Sequence, residues 1–254
     1  LVVMTTNVEY GRADDARLLA EIDRAAPDVL LMQEYTPEMH ERLGPALAER
    51  FAHASPRAQD GAFGMATYSR LPFVGEPEHY PRMDLRAAAQ GVAEPPREPP
   101  PEPPPEPQIR AVVRVGGREV VVQNFHPYPP TSPASVLHQR SHTRGLLALA
   151  RADPRPTIIA GDFNFTANAV TSAWLRDAGF RDAWDTAGRG PGFTWPDRAR
   201  AGSYGPAALL PVRIDRVLVS GGLLADRAEV GASVGADHLP VIVRVGFPPA
   251  PPAP

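Results

Sequence analysis

The chain has 254 residues, of which 43% are hydrophobic, and a formal net charge of -3 at pH 7. This size allows one large core in a single domain, and the small net charge excludes a global basic field that would recruit nucleic acid, although a local basic groove stays open. The sequence contains no cysteine, which excludes disulfides, thiolate metal ligands and cysteine nucleophiles, so any bound metal must lie on oxygen or imidazole.

The first third of the chain alternates between strand and helix patterns. LVVMTTN at the start is typical of a strand, and residues 14–26 have apolar positions at helical spacing behind Asp14, which can cap a helix. DVLLMQE, ending at Glu34, is a nearly continuous apolar run and predicts a strand buried on both faces. A helix over 37–51 and a strand at GMATYSRLP are expected next.

The segment 94–107, EPPREPPPEPPPEP, has nine prolines among its fourteen residues. Proline at this density fits neither a sheet nor a helix, and we interpret the segment as a stiff polyproline II insertion. It is either a docking segment for a proline-recognising partner or an elongated surface loop, and we favour the loop. Residues 248–254 form a similar Pro-rich tail, so the folded domain is expected to span 1–247.

The remaining two thirds are richer in strands. QIRAVVRV and EVVVQNFHPY flank Gly116-Gly117, which predicts a hairpin. Helical periodicity over 135–150, the strand TIIAGDFN and a helix over 169–178 follow. Three further strand patterns complete the chain, in PVRIDRVLVS, AEVGAS and LPVIVRV. The early strands are separated by helices, whereas the late strands follow one another directly. This pattern predicts a mixed arrangement of two sheets with helices on the outside.

Polar side chains recur where these predicted strands end. Taken singly, Asp162 and Asn164 in IIAGDFNF fit a turn, and His126 fits a buried core histidine. Gly161, directly before Asp162, lets a backbone or a ligand approach closely. Together, the polar residues at strand ends indicate one site fed by several strands. They are Asn7, Glu34, His126, Asp162, Asn164, Asp215, Asp237 and His238.

These residue types suit a particular chemistry. Carboxylates with an amide form an oxygen-rich site for Mg²⁺ or Mn²⁺, and both ions accept substrate phosphate oxygens. Two histidines near neutral pKa can transfer protons or stabilise developing negative charge, and a carboxylate behind one of them fixes its tautomer. The set therefore predicts attack of water on a phosphate ester.

Eight sequence blocks resemble, in order, the motifs of the endonuclease/exonuclease/phosphatase superfamily, which includes DNase I-like nucleases, abasic-site endonucleases, sphingomyelinases and inositol-polyphosphate phosphatases. They are TTNVEY, DVLLMQE, GMATYSRLP, NFHPYPP, IIAGDFNF, FTWP, RIDRVLVS and GADHLPVIV, all within residues 1–245. The resemblance implies a four-layer α/β sandwich in which two packed mixed β-sheets are flanked by helices.

The resemblance also implies a role for each residue of the metal and water site. Glu34 would be the main metal ligand, with Asn7 beside it and Asp237 close enough to bind or tune the metal. Asp162 would orient and deprotonate the attacking water. Asn164 would hold a phosphate oxygen.

The remaining roles concern the histidines and one aromatic residue. His238, backed by Asp215, would contact the phosphate or act as base, because the division of labour between this histidine and the aspartate differs across the superfamily. His126 would stabilise the leaving oxygen or the transition state. Trp195 either stacks on a base, packs against a lipid or sugar, or is an ordinary core or rim aromatic.

We expect a monomeric, divalent-metal-dependent phosphodiesterase with DNA or another nucleic acid as its leading substrate. A phospholipid or small phosphoester hydrolase, and a non-catalytic binding module on the same fold, are the alternatives. The chain looks most like bacterial family members whose substrate is unassigned. In some of them the domain follows an N-terminal membrane anchor. Export or anchoring through a segment outside this chain is therefore a further expectation.

Overall fold

The computed structural model of the chain describes residues 1–80, 108–199 and 210–248. These residues form two mixed six-stranded sheets with helices on the outer faces, so the predicted four-layer α/β sandwich is confirmed. The proline-rich insertion at 94–107 and residues 249–254 of the tail lie outside the described ranges. Within those ranges, no helix is both long and apolar enough to cross a membrane.

The described residues contain twelve strands and five α-helices. The strands are β1 (Val2–Asn7), β2 (Val29–Gln33), β3 (His53–Arg57), β4 (Met65–Ser69), β5 (Glu78–Tyr80), β6 (Gln108–Val115), β7 (Arg118–Asn124), β8 (Thr157–Asp162), β9 (Arg181–Asp182), β10 (Asp215–Val219), β11 (Leu224–Val230) and β12 (Val241–Gly246). The helices are α1 (Asp15–Ala25), α2 (Pro37–Ala48), α3 (Pro133–Ala152), α4 (Val170–Asp177) and α5 (Ala183–Ala187).

The strand order brings many strand ends to one side of the sandwich. The sheets run β11-β12-β1-β2-β4-β3 and β5-β6-β7-β8-β10-β9. β1 is parallel to β2, and β7 is parallel to β8, so each pair presents its carboxyl ends together. β12 and β10 are antiparallel to β1 and β8, so their amino ends join the same edges. Six strand ends can therefore contribute side chains to one site.

β2 shows how the apolar run positions these ends. All of its residues are buried. Val29 and Leu31 pack into the core between the sheets, while Leu30 and Met32 pack into the cluster beneath the outer helices. The prediction of a strand buried on both faces is therefore confirmed, and this double burial fixes where the strand ends.

The helix boundaries follow local signals. Asp14 caps α1, because its side chain accepts a hydrogen bond from the Arg17 amide at 2.9 Å. α2 ends at Ala48, which is earlier than the apolar pattern predicted. β3 was not predicted. It is an edge strand that contains Pro56, and the composition of HASPR hides it because proline is tolerated in sheets mainly at their edges.

Gly161 in β8 is required by a close approach between strands. A Cβ atom built at this position would lie 1.9 Å from the Phe125 carbonyl oxygen, and φ is +154°. Phe125 donates its own amide to the Ala160 carbonyl at 3.0 Å. The glycine therefore allows the backbone before His126 to lie directly against the strand that carries Asp162.

We expect Gly161→Ala to destabilise the protein by more than about 2 kcal/mol, because the strands must separate to admit the methyl group. Urea unfolding monitored by circular dichroism measures this loss. Gly117→Ala is the matched control: its φ is +79°, but a Cβ there meets nothing within 4 Å, so it should cost only roughly 1–2 kcal/mol from backbone strain. Equal losses in the two variants would contradict the steric argument.

Candidate active site

A cleft of about 780 Å³ opens where the strand ends of the two sheets meet. The structure brings every predicted site residue to this cleft. Asn7 and Asp215 lie behind the lining, hydrogen-bonded to Asp162 and His238, respectively. The others line the cleft directly: Glu34, His126, Asp162, Asn164, Trp195, Asp237 and His238.

Asp162, at the end of β8, lies at the centre of the site. Its Oδ2 accepts a hydrogen bond from Asn7 Nδ2 at 3.1 Å. The Nε2 atoms of His126 and His238 are 3.6 and 3.7 Å from the same oxygen. Side chains from β1 and from the loops after β7 and before β12 thus converge on one carboxylate oxygen. Asp162 as a whole is only 1% exposed.

Asp162 and Asn164 form a turn as well as part of the site. Asp162 Oδ1 accepts a hydrogen bond from the Asn164 amide at 2.8 Å, and Asn164 has a left-handed φ of +52°. The predicted turn at Asp-x-Asn is therefore confirmed, and both side chains line the cleft. The Asn164 side chain donates to the Pro127 carbonyl at 2.9 Å, which leaves its second amide hydrogen for a ligand.

Glu34, immediately after β2, is held by two donors. Its Oε1 accepts from Asn7 Nδ2 at 2.9 Å, and its Oε2 accepts from the Tyr10 amide at 2.9 Å. Burial raises the pKa of Glu34 to about 7, although the hydrogen bond from Asn7 opposes the shift. The left-handed φ of +59° at Glu34 is of a kind that costs about 1–3 kcal/mol and concentrates at functional sites.

The two histidines have opposite electrostatic environments. Burial by itself would lower the pKa of His238, but the charges of Asp215 and Asp162 outweigh it and raise the pKa to about 10. His238 Nδ1 lies 2.8 Å from Asp215 Oδ2. Burial lowers the pKa of His126, and the Asp162 charge only partly opposes this. Near neutral pH, His238 is therefore a cation and His126 is neutral.

The donor set fits a hard divalent cation. Ligand atoms of Asp162, Asp215 and His238 all lie within 4.8 Å of one another. Asp215 Oδ1 is buried without a hydrogen-bond partner, and the Glu34 and Asp162 carboxylates share one amide group of Asn7. Clustered carboxylate oxygens of this kind are typical ligands of Mg²⁺ and related ions.

The Asn7 side chain connects two carboxylates, a role that its residue type alone does not predict. Its Oδ1 accepts a hydrogen bond from the Glu9 amide at 2.9 Å, so its nitrogen faces the two carboxylates. In this orientation Asn7 holds Glu34 and Asp162 together and does not present an oxygen to a metal.

Thr194, in the FTWP block, was not among the predicted site residues. Its Oγ1 accepts hydrogen bonds from the Ile214 and Asp215 amides at 3.2 and 3.1 Å. Its carbonyl accepts from the Leu239 amide at 2.8 Å. Thr194 thus joins the segment that carries Asp215 to the one that carries His238.

Trp195, the next residue in the same block, contacts the site through its indole nitrogen. Its Nε1 donates to Asp237 Oδ2 at 3.2 Å. The FTWP block is the sequence signal for both residues, but the block alone does not show which distant groups they contact.

Gln33 and Asn124 form a buried link between the sheets that sequence reasoning also missed. Gln33 Nε2 donates to Asn124 Oδ1 at 2.7 Å, and Asn124 Nδ2 donates to the carbonyls of Met32 and Ala66 at 3.2 and 3.0 Å. Gln33 immediately precedes Glu34 in the chain. The link therefore fixes one sheet against the other next to the site.

The chain is similar in sequence and in fold to proteins of one known family. The model of the Endonuclease/Exonuclease/phosphatase family matches residues 4–238. Among solved structures, the chain is similar to an endonuclease/exonuclease/phosphatase from Beutenbergia cavernae DSM 12333, with 23% identity and a TM-score of 0.70 over 100% of this chain and 73% of that one. No curated protein sequence matches it significantly.

Two further structures have the same fold. D. rerio TDP2 complexed with single strand DNA product is 18% identical, with a TM-score of 0.70 over 97% of this chain and 99% of that one. A functionally unknown conserved protein from Enterococcus faecalis V583 is 16% identical, with a TM-score of 0.70 over 98% of this chain and 100% of that one. At these identities the likeness shows the fold alone.

We expect Thr194→Val to destabilise the protein by about 1–3 kcal/mol, because the isosteric side chain leaves the buried Asp215 amide and the partly buried Ile214 amide without this acceptor. Thr194→Ser keeps the hydroxyl and should restore most of the loss. Urea unfolding of both variants measures the difference. A serine variant as unstable as the valine variant would assign the effect to packing of the methyl group instead.

Proposed function

We propose that this chain, which belongs to the endonuclease/exonuclease/phosphatase family, is a divalent-metal-dependent phosphodiesterase with nucleic acid as its leading substrate. The observation that carries the proposal is the convergence of Asn7, His126 and His238 on one carboxylate oxygen of Asp162. A buried carboxylate surrounded by donors at the wall of an open cleft is suited to bind and deprotonate water.

Glu34 is the residue we propose as the main ligand of Mg²⁺ or Mn²⁺, with Asp237 beside it and Asn7 holding its carboxylate in place. The Glu34 and Asp162 carboxylates lie close together and accept hydrogen bonds from the same amide group of Asn7, which supports this assignment. When bound, the cation supplies charge stabilisation at the phosphoryl oxygens.

Asp162 is proposed to take the proton of the attacking water at Oδ2. The water oxygen then forms the new bond to phosphorus, and the ester P–O bond opposite breaks. Asn7 keeps the carboxylate oriented through its 3.1 Å hydrogen bond. The amide of Asn164 donates to the other oxygen of Asp162 at 2.8 Å, so the carboxylate is held in one orientation at the cleft wall.

The histidines are proposed to stabilise the charge that develops on the phosphoryl group. His238 can donate from Nε2 to a phosphoryl oxygen while Asp215 accepts from Nδ1, 2.8 Å away. His126 Nε2 lies 3.6 Å from Asp162 Oδ2, and we propose that it stabilises the leaving oxygen. The free amide hydrogen of Asn164 is available to a phosphate oxygen.

Nucleic acid is favoured as the substrate because TDP2, a neighbour of the same fold, is described as complexed with single strand DNA product. A small phosphoester or phospholipid is the second candidate, because much of the cleft wall is apolar, with Phe165, Val170 and Val212 among its residues. The non-catalytic alternative is less favoured, since the metal-type donors and both histidines are all present.

We expect purified protein to nick supercoiled plasmid in the presence of Mg²⁺ or Mn²⁺ and to lose this activity in EDTA. Asp162→Asn should lower the rate by about 10²–10³-fold, because the amide cannot accept the proton of water. Agarose gels of timed reactions measure the rate. Asp177→Asn, at the exposed end of α4, is the matched control and should leave nicking unchanged.

Absence of nicking by the wild-type protein with either metal would overturn the nuclease assignment. The same preparations should then be assayed for release of phosphate or phosphocholine. Nicking that persists in Asp162→Asn would instead contradict the role of Asp162 and point to a contaminating nuclease.

A further inference from the structure

The walls of the active-site cleft are unusually aromatic. Side chains from four separate segments line it: Tyr10 after β1, Phe63 in the short helical turn before β4, Phe165 after β8, and Trp195. Tyr10 is 47% exposed, and nothing in the mechanism described above uses its ring. An aromatic ring that stands exposed beside a catalytic centre is a candidate contact for substrate.

Tyr10 is held at the rim by its backbone. Its amide donates to Glu34 Oε2 at 2.9 Å, and Glu9 and Tyr10 both adopt left-handed φ values, +48° and +54°. Consecutive residues of this kind carry strain that is retained mainly at functional sites. The strained turn directs the ring away from the core and keeps it beside the proposed metal ligand.

The surroundings of the Tyr10 ring favour a stacking role. The Arg12 guanidinium lies 5.5 Å from the ring centroid, a distance typical of a cation–π contact. Tyr10 lines the cleft together with Glu34 and Asp237, the two proposed metal ligands. Trp195, a second aromatic residue of the cleft wall, donates its Nε1 hydrogen to Asp237 Oδ2 at 3.2 Å.

The charge of the cleft argues against recognition through many phosphates. Arg140 is the one arginine among the described residues that line it, whereas three carboxylates do so: Glu34, Asp162 and Asp237. Proteins that track a duplex contact several phosphates through Lys or Arg. Unpaired bases, in contrast, are bound by aromatic side chains on which they stack.

We infer that the substrate is a phosphoester with an unpaired, flat aromatic group next to the scissile bond, and that Tyr10 stacks on this group. The inference rests on the proposed function, since it requires the phosphate to bind at the Asp162 centre. Two sources share this chemistry. One is the base of single-stranded nucleic acid or a nucleotide, and the other is an aryl ester of phosphate.

Isothermal titration calorimetry measures the binding on which the inference depends. The probes are thymidine 5′-monophosphate, phenyl phosphate, glycerol 3-phosphate and inorganic phosphate, each with Mg²⁺. The wild-type protein should bind the two aromatic probes more tightly than the other two. Tyr10→Ala should weaken the aromatic probes about five- to a hundredfold and leave inorganic phosphate unchanged, since the backbone amide that binds Glu34 is retained.

Tyr10→Phe should rescue the binding, because the flat ring is kept and only the hydroxyl is lost. Phe193→Ala is the matched control: Phe193 is 43% exposed but lies outside the active-site cleft, and its removal should have no effect. A preference for the nucleotide over phenyl phosphate supports the inference with a base as the source. The reverse preference supports it with an aryl ester as the source.

Equal affinities of the wild-type protein for the aromatic probes and glycerol 3-phosphate would overturn the inference while leaving the proposed function intact. So would an aromatic preference that survives in Tyr10→Ala. Failure of all four probes to bind, together with absent plasmid nicking, would instead overturn the proposed function and this inference with it.

Discussion

Two buried carboxylates on adjacent strands are the constraint around which the site is built. Asp162 and Asp215 occupy paired positions in the antiparallel register of β8 and β10, and both are almost completely inaccessible to solvent. Isolated charges at such depth are strongly unfavourable unless other groups pair with them. His238 lies against Asp215, and Asn7 donates to Asp162. The site residues are therefore also the groups that make this pair of carboxylates tolerable in the fold.

This requirement explains why the strand ends are held so firmly. A shift of one strand by a residue would turn every side chain to the opposite face and would leave a carboxylate unpaired. The apolar layer between the sheets prevents such a shift along each strand, and the Gln33–Asn124 hydrogen bond prevents it between the sheets. Backbone strain at Glu34 and Asn164 persists because this rigid frame determines the positions on either side of each residue.

Much of the fold could be predicted because it rests on local patterns. The double burial of β2, the capping of α1 by Asp14 and the hairpin at Gly116-Gly117 each have a signal within a few residues. The collection of polar groups at strand ends could also be predicted, since parallel strands present their carboxyl ends together. These signals were enough to place the candidate site.

What could not be predicted depends on contacts between distant segments. Thr194 accepts hydrogen bonds from backbone amides about twenty residues away, and no periodicity marks such a pairing. The orientation of the Asn7 amide is set by Glu9, Glu34 and Asp162 together, so its residue type could suggest a metal ligand but not a holder of carboxylates. β3 was hidden because an edge strand with a proline lacks the usual alternation.

The electrostatics of the cleft separate the binding of a phosphate from the recognition of the whole substrate. With a net charge of -3 and three carboxylates facing the cleft, the protein has no long-range field that draws a polyanion towards the site. Attraction of a phosphate would then come at short range, from the proposed cation, from protonated His238 and from Arg140. Such contacts are confined to one or two phosphates, so they can fix the scissile group but cannot distinguish one phosphoester from another. Discrimination would then depend on the uncharged walls of the cleft, where the aromatic rings of Tyr10 and Trp195 have the surface to supply it.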